Sequence, residues 1–143
     1  MEAIKGKDIQ SVAKEYVFDP LDMPFSSYEW IPEYEGIATP SVRRNGESQG
    51  VRQFPRQNVA YTLRTNANDY SKFVRAIMDG VGLSQASHAL MITPCSGPAT
   101  QFPPKVRPVD QKQTIFWGLG LGIEENPDWG RILWHWGDNG NTK

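Results

Sequence analysis

The chain has 143 residues, of which 38% are hydrophobic and 22% charged, a composition typical of an ordered globular domain with a modest core. Its 15 basic and 16 acidic residues are scattered and give a formal net charge of -1, which predicts no binding to nucleic acid or to an anionic membrane. No apolar run approaches the length of a membrane span. One cysteine and two histidines are too few and too dispersed for a zinc site, so neither a metal nor a cofactor is predicted.

The first predicted element is an amphipathic helix over residues 8–18. Apolar side chains recur there at helical spacing, and Asp19-Pro20 is expected to end the helix. Residues 21–63 are rich in Pro, Gly, Ser, Asn and Arg and show no sustained periodicity. A long irregular region is therefore predicted, and loops of that length are usually functional or packed over something larger.

Two more helices follow in the predicted order. Thr65 is expected to cap the first of them, and Gly80 to end it. Its predicted inner face consists of Tyr70, Phe73, Val74, Ile77 and Val81. A short helix is predicted over residues 84–91, closed by Pro94, and residues 93–108 form a Pro-rich connector.

The last predicted elements are two strands. Residues 115–123 alternate between bulky side chains and glycine, which predicts one strand with one bulky face and one nearly bare face. Turn-forming residues at 126–130 and a strand over residues 131–136 would complete an antiparallel hairpin. The predicted fold class is thus α/β of the α+β type, with helices and a long irregular region packed on the start of an antiparallel sheet.

Two sets of residues have the spacing or order of a nucleophile motif, and the local context disfavours both. Ser11 and Lys14 have the Ser-x-x-Lys spacing, in which a lysine of lowered pKa can activate a serine. Both fall opposite the apolar stripe of the first helix, so we expect both to be solvated and the motif to be inert. Cys95 with His135 and either Asp138 or Asn139 has the order of a cysteine protease, but Cys95 lies in a Pro/Gly loop rather than at a helix start or beside a cation.

The tryptophans allow a carbohydrate-binding interpretation. Trp117, Trp129, Trp134 and Trp136 could stack on sugar rings, although aromatic residues at alternate strand positions more often pack on the sheet face. The alternative function is therefore a non-catalytic binding module. In it, Trp30, Trp134 and Trp136 would surround a groove that binds a glycan or a peptidoglycan fragment.

Five segments, in order, resemble the serine hydrolases related to class C beta-lactamases, D-alanyl-D-alanine carboxypeptidases and their esterase relatives. The segments are Gly6-Lys7-Asp8 with the helix leading to residues 17–23, then residues 63–70, 80–94 and 117–122, and finally His135-Trp136-Gly137. In the first segment, Asp22 stands where the family pattern has a glycine. In the last, His135-Trp136-Gly137 takes the place of the family's Lys-Thr-Gly or His-x-Gly.

The resemblance implies a mechanism in which a serine attacks a carbonyl group, an acyl-enzyme forms, and water or another acceptor releases it. The family's Ser-x-x-Lys and Tyr-x-Asn belong upstream of these segments. The only Ser-x-x-Lys here lies on a different helix of the family pattern, and the sequence contains no Tyr-x-Asn. Residues 1–143 are therefore expected to form a single partial domain, the C-terminal part of such a fold.

The resemblance also implies the site residues. The backbone N–H of Asp138 corresponds to one oxyanion donor, and His135 to the residue that polarises the site or binds a substrate carboxylate. Gly137 would let the acyl group lie close to the strand, and Trp136 and Asn139 would contact the substrate.

The predicted function is that of a serine hydrolase segment that acts on an ester, a peptide or a beta-lactam and is inactive alone. Its partners would be a small-molecule or peptidoglycan-like substrate and the N-terminal part of the same enzyme. The start of the chain lacks a secretory pattern, whereas members of the family often act outside the cytoplasm, and the compartment is left open.

Overall fold

A computed structural model describes residues 2–43, 45–95, 114–135 and 137. The described residues fall into two compact units, one running up to Asp79 and one comprising Gly80–Gly137. No helix within these described ranges is long and apolar enough to cross a membrane. The prediction of one partial domain over residues 1–143 stays a prediction.

The first unit opens with two short helices. Helix α1 spans Glu2–Lys5, which the sequence did not predict, and α2 spans Ile9–Ala13 and continues into a π-helical turn, Lys14–Phe18. Asp8 caps α2 by accepting a hydrogen bond from the Ser11 backbone N–H at 2.9 Å. The helix predicted over residues 8–18 is thus confirmed, with a change of helix type in its second half.

The core of the first unit lies where this helical segment ends. Ala13, Phe18 and Met23 are buried together, because the apolar stripe of α2 and the chain just after the π-helical turn converge there. The partly buried residues packed against them are Val17, Leu21, Tyr28 and Phe73. Phe73 belongs to α3, Ala67–Asp79, so that helix closes the core.

Residues 21–63 contain little regular structure, as predicted: a 3-10 turn, Pro32–Tyr34, and short bridges at Ser27↔Arg64 and Val42↔Ser48. Two buried polar side chains hold this region. The Tyr34 hydroxyl donates to the Phe25 carbonyl oxygen at 2.9 Å. The Asp69 carboxylate, fully buried at the start of α3, accepts hydrogen bonds from the Phe25 backbone N–H at 2.8 Å and the Ser26 hydroxyl at 3.0 Å.

Helix α3 differs from the prediction in its cap and its buried face. Asn66, not Thr65, is the cap: its side-chain oxygen accepts from the Asp69 N–H at 2.8 Å, the usual geometry of an N-cap. The Thr65 hydroxyl instead pairs with that of Ser26 at 2.8 Å. Because Asp69 is fixed to the irregular region, the helix turns Asp69 and Ala76 inward, and the predicted inner residues Tyr70 and Val74 are exposed.

The second unit begins after α3. Gly80 has a φ of 70°, the left-handed conformation expected just after a helix end. Helix α4, Gln85–Met91, is capped by Ser84, whose hydroxyl oxygen accepts from the Ser87 N–H at 3.1 Å. This confirms the short helix predicted over residues 84–91. Most of the predicted connector, from residue 96 onward, lies outside the described residues.

The sheet of the second unit has three antiparallel strands in the order β1-β2-β3: Ile115–Trp117, Gly122–Asn126 and Gly130–Trp134. The single strand predicted over residues 115–123 is wrong, because the chain reverses between Gly118 and Leu121. The Gly118 N–H donates to the Leu121 carbonyl at 2.8 Å, and Gly120 has a φ of 82°. Two of the three glycines that suggested a bare strand face, Gly118 and Gly120, thus form a turn, and Gly122 begins β2.

The hairpin predicted from the turn residues at 126–130 is confirmed, since β2 and β3 pair from Asn126↔Gly130 to Gly122↔Trp134. Strand β3 ends at Trp134, so His135, predicted to belong to the strand, lies outside it. Helix α4 is fastened to the sheet at the first turn, where the Leu119 N–H donates to the Met91 carbonyl at 3.1 Å. The second unit is therefore a helix hydrogen-bonded to a small antiparallel sheet.

Candidate functional site

The candidate site begins where β3 ends. His135 and Gly137 directly follow that strand, and both are exposed. A Cβ atom added to Gly137 would meet no atom of the described chain within 4 Å. Among the described residues, the backbone at this position therefore borders open space, and the role of Gly137 toward an acyl group stays a prediction.

The ring of His135 leans on the sheet rather than pointing away from it. Its centroid lies 6.0 Å from that of Trp117, with the two planes at 72°, an edge-to-face arrangement. The imidazole is accessible to solvent and is not enclosed in an apolar core. Because the His135 ring contacts Trp117 on one side and solvent on the other, it can contact a ligand.

Trp117 and Trp134 form the base of this arrangement. Both pair with Gly122 across the sheet, and their ring centroids lie 4.9 Å apart. A Cβ atom on Gly122 would lie 2.2 Å from Cε2 of Trp134, so only glycine allows the indole to lie over the strand. Trp117, Trp134 and His135 are called the aromatic cluster below. The sequence did not reveal this cluster, because Trp117 and Gly122 were predicted to lie on opposite faces of one strand, whereas the structure pairs them across two strands.

Trp136, Asp138 and Asn139 lie outside the described residues. Their predicted roles, including the Asp138 backbone N–H as an oxyanion donor, stay predictions. Of the five predicted site residues, the structure places His135 and Gly137, one on each side of Trp136 along the chain.

The Ser-x-x-Lys pair of the first helix is not arranged for catalysis. The Ser11 hydroxyl donates to the Asp8 carboxylate at 2.9 Å, and the Lys14 ammonium pairs with Asp19 at 2.5 Å. The Lys14 side chain is 60% exposed. Each group thus contacts a carboxylate instead of the other. Ser11 is exposed as well, which confirms that the two side chains are solvated.

Cys95 also lacks the surroundings of an activated thiol. It is exposed in a loop beside β1, where its backbone N–H donates to the Trp117 carbonyl at 2.8 Å. Its thiol donates to the Thr93 carbonyl oxygen at 3.2 Å, whereas reactive thiolates are stabilised by a cation or a helix start. Within the described ranges, no group of three or more His, Cys, Asp or Glu side chains could hold a metal ion.

Comparison with protein families decides the assignment. The sequence model described as "Beta-lactamase" matches residues 1–143. The chain belongs to the beta-lactamase family. No curated protein gives a significant match.

Solved structures show that the fold is that of the beta-lactamase family. A D-stereospecific amidohydrolase from Streptomyces sp. superposes with a TM-score of 0.63 at 17% identity, covering 94% of this chain and 38% of its own. An octameric penicillin-binding protein homologue from Pyrococcus abyssi gives 0.63 at 17% identity, covering 92% of this chain and 29% of its own. The chain thus spans well under half the length of these beta-lactamase-like neighbours, and its fold is a partial one.

The structure shows what conformation the chain adopts at Asp22, where the sequence departs from the family pattern. Asp22, which stands where the beta-lactamase pattern has glycine, has a φ of 52° and is the only non-glycine residue of the described ranges with a positive φ. The family glycine thus matches a backbone conformation that side chains disfavour. The Lys72 ammonium, which bonds to the Asp22 carboxylate at 2.8 Å, helps to hold the aspartate in that conformation.

Proposed function

We propose that this chain forms part of the substrate-binding wall of a serine hydrolase that cleaves an amide, a beta-lactam or an ester through an acyl-enzyme. The observation that carries the proposal is the exposed pair His135 and Gly137 at the end of β3, beside the aromatic cluster. The names of the two structural neighbours, an amidohydrolase and a penicillin-binding protein homologue, favour an acyl group bonded to nitrogen.

The proposed chemistry assigns each residue a distinct task. The hydroxyl oxygen of the enzyme's serine attacks the substrate carbonyl carbon, and the Asp138 backbone N–H donates to the oxygen that becomes negative. Collapse of this intermediate expels the amine or alcohol, and water then releases the acid. Gly137 leaves room for the acyl chain, His135 binds a substrate carboxylate or polarises the site, and Trp136 and Asn139 contact the substrate.

The nucleophile is proposed to come from residues that are not among these 143. Neither a Tyr-x-Asn nor a suitably placed Ser-x-x-Lys occurs in the sequence, and Ser11 is bonded to Asp8. One oxyanion donor without a nucleophile or base provides little stabilisation of the transition state. The 143-residue chain by itself is therefore expected to be inactive.

Two assays test this proposal. The chain alone should hydrolyse neither nitrocefin nor a p-nitrophenyl ester above the buffer rate, and turnover that Ser11→Ala abolishes would disprove the rejection of Ser11. In an extended chain that includes an upstream Ser-x-x-Lys and Tyr-x-Asn, Gly137→Val should lower kcat/KM by about 100-fold, because the added side chain would occupy the space of the acyl chain and displace the substrate carbonyl from the Asp138 N–H. Glu35→Gln, an exposed change in the other unit, is the control. Equal activity of the two variants would refute the assignment of the β3 end as the site.

A second candidate is a non-catalytic module that binds a glycan or a peptidoglycan fragment. The specific observation in its favour is Trp129, which is 82% exposed at the turn between β2 and β3. Trp30, in contrast, is partly covered by Tyr34, with ring centroids 5.6 Å apart, and by Arg64. A titration with muropeptides that left the tryptophan emission unchanged would exclude this candidate and leave the hydrolase proposal intact.

A further inference from the structure

A groove in the first unit is separate from the residues assigned to the hydrolase site. It has a volume of about 510 Å³ and is formed by three stretches of chain that are distant in sequence. Its lining consists of Glu2 and Asp8 from the N-terminal helices, Tyr28, Glu29 and Trp30, and Phe54, Pro55, Arg56 and Gln57. All of these residues lie within one compact unit.

Two glutamine side chains join the three stretches. The Gln57 side-chain oxygen accepts from the Gln10 N–H at 2.8 Å, and its nitrogen donates to the Glu29 carboxylate at 2.5 Å. The Gln10 side-chain oxygen accepts from the Tyr28 N–H at 2.7 Å. These bonds cross 47, 28 and 18 residues of sequence, so the walls of the groove are held in place before any ligand arrives.

The charge of the lining is unbalanced. Glu2, Asp8 and Glu29 carry three negative charges against the single positive charge of Arg56. Each carboxylate is also held in position: Glu2 by the Ile9 N–H at 2.8 Å, Asp8 by Ser11, and Glu29 by Gln57. No ion pair within the described ranges involves any of the three. The groove is therefore complementary to a cation.

The aromatic rings of the lining favour an organic cation over a metal ion. Tyr28, Trp30 and Phe54 line the same groove, and rings of this kind attract ammonium groups through their negative faces and bury apolar groups beside them. The Arg64 guanidinium lies over the Trp30 ring, 5.1 Å from its centroid. This contact shows that the ring accepts a cation and also that Arg64 occupies that position, so the ammonium of a ligand is placed at Glu29 instead. Hydrated metal ions gain little from such rings, whereas an organic ammonium ion gains from both rings and carboxylates.

We propose that this groove binds an organic ammonium ion, a protonated amine attached to an apolar or aromatic group. The ammonium lies near the Glu29 carboxylate, and the apolar part lies against Trp30 and Phe54. The site is independent of the hydrolase proposal, since none of its residues belongs to the β3 end.

The test is an NMR titration of the full 143-residue chain at neutral pH and constant ionic strength. The probes are phenethylamine, its uncharged analogue 2-phenylethanol, and butylamine, which keeps the charge but lacks the ring. Phenethylamine is expected to shift the Trp30 indole N–H, assigned with a Trp30→Phe variant, together with the backbone amides of residues 54–57. Binding should be about fivefold weaker for each of the other two probes, because each lacks one of the two attractions.

Two variants test the charge directly. Glu29→Gln, which keeps the shape of the side chain, should weaken phenethylamine binding about three- to tenfold. Glu35→Gln removes the same charge from an exposed residue outside the groove lining and should have no effect. Equal affinity for amine and alcohol, shifts confined to residues outside the groove, or equal effects of the two variants would each overturn the proposal. If Glu29→Gln fails to fold, the titrations of the unmodified chain with the three probes still test the proposal.

Discussion

Asp22 shows how one residue can carry a backbone conformation that its type disfavours. Its φ of 52° places it in the left-handed region, which costs most side chains roughly 1–2 kcal/mol and aspartate somewhat less. The Lys72 ammonium bonds to both its carboxylate and its backbone carbonyl oxygen. The Asp22 side chain is 90% exposed, and ion pairs at the surface contribute little to stability.

Replacing Asp22 by the family's glycine should therefore stabilise the chain. Asp22→Gly is expected to raise the free energy of unfolding by roughly 0.5–1 kcal/mol, because relief of the left-handed strain outweighs the lost surface ion pair. Asp22→Ala loses the ion pair and keeps the strain, so it should destabilise the chain. Urea denaturation followed by circular dichroism measures both changes, and a glycine variant less stable than the alanine variant would contradict this account.

At the scale of elements, helix α3 has two adjacent residues that could cap its N-terminus. Thr65 and Asn66 are both good capping types, and only the structure shows that Asn66 receives the Asp69 N–H. Asn66→Ala is expected to cost about 1 kcal/mol of unfolding free energy, the usual loss when a cap is removed. Thr65→Ala removes one hydroxyl contact to Ser26 and should not reduce the helicity of residues 67–79.

Hydrogen exchange of the first-turn amides of α3 separates these two roles. In Asn66→Ala those amides should exchange faster, whereas in Thr65→Ala the effect should fall on the region around Ser26. Faster exchange at the start of α3 in Thr65→Ala, with Asn66→Ala unchanged, would restore the cap predicted from sequence.

The predictions from sequence failed where distant contacts decide the structure and where a local pattern fits two structures. The helices at residues 8–18 and 84–91 and the hairpin at 126–130 could be predicted, because periodicity, caps and turn residues are local. The buried face of α3 could not, since Asp69 is fixed by Phe25 and Ser26, 44 and 43 residues away. The strand predicted over residues 115–123 failed because alternating glycines suit a bare strand face and a left-handed turn equally well.

The candidate site shows the same division. His135 and Gly137 were predicted from their resemblance to a family motif; both are exposed where β3 ends, and their roles stay predictions. The aromatic cluster depends on the register that sets Gly122 between Trp117 and Trp134, and the turn at residues 118–121 fixes that register. The alternation of residue types along the sequence does not specify this register unless the position of the turn is also known.

At the scale of the whole molecule, the stability of the first unit is linked to the ionisation of a buried tyrosine. Tyr34 is 5% exposed and anchors the irregular region through the Phe25 carbonyl. Burial raises its pKa from 10.0 to about 12, since the phenolate would lose hydration there. The unfolded chain therefore releases this proton near pH 10 and the folded chain only near pH 12. Stability from this group is fully present below pH 10 and is lost as the pH rises toward 12.

Tyr34→Phe should remove this alkaline loss while lowering stability at neutral pH by about 1 kcal/mol, the typical value of one hydrogen bond. Denaturation midpoints measured from pH 8 to pH 12 should fall more steeply above pH 10 for the natural chain than for Tyr34→Phe. Tyr61→Phe, at a tyrosine that is 53% exposed, provides the control and should follow the natural chain. If the natural chain and Tyr34→Phe fell in parallel above pH 10, the alkaline loss would belong to other groups. The anchoring role of Tyr34 would then rest on the loss of stability at neutral pH alone.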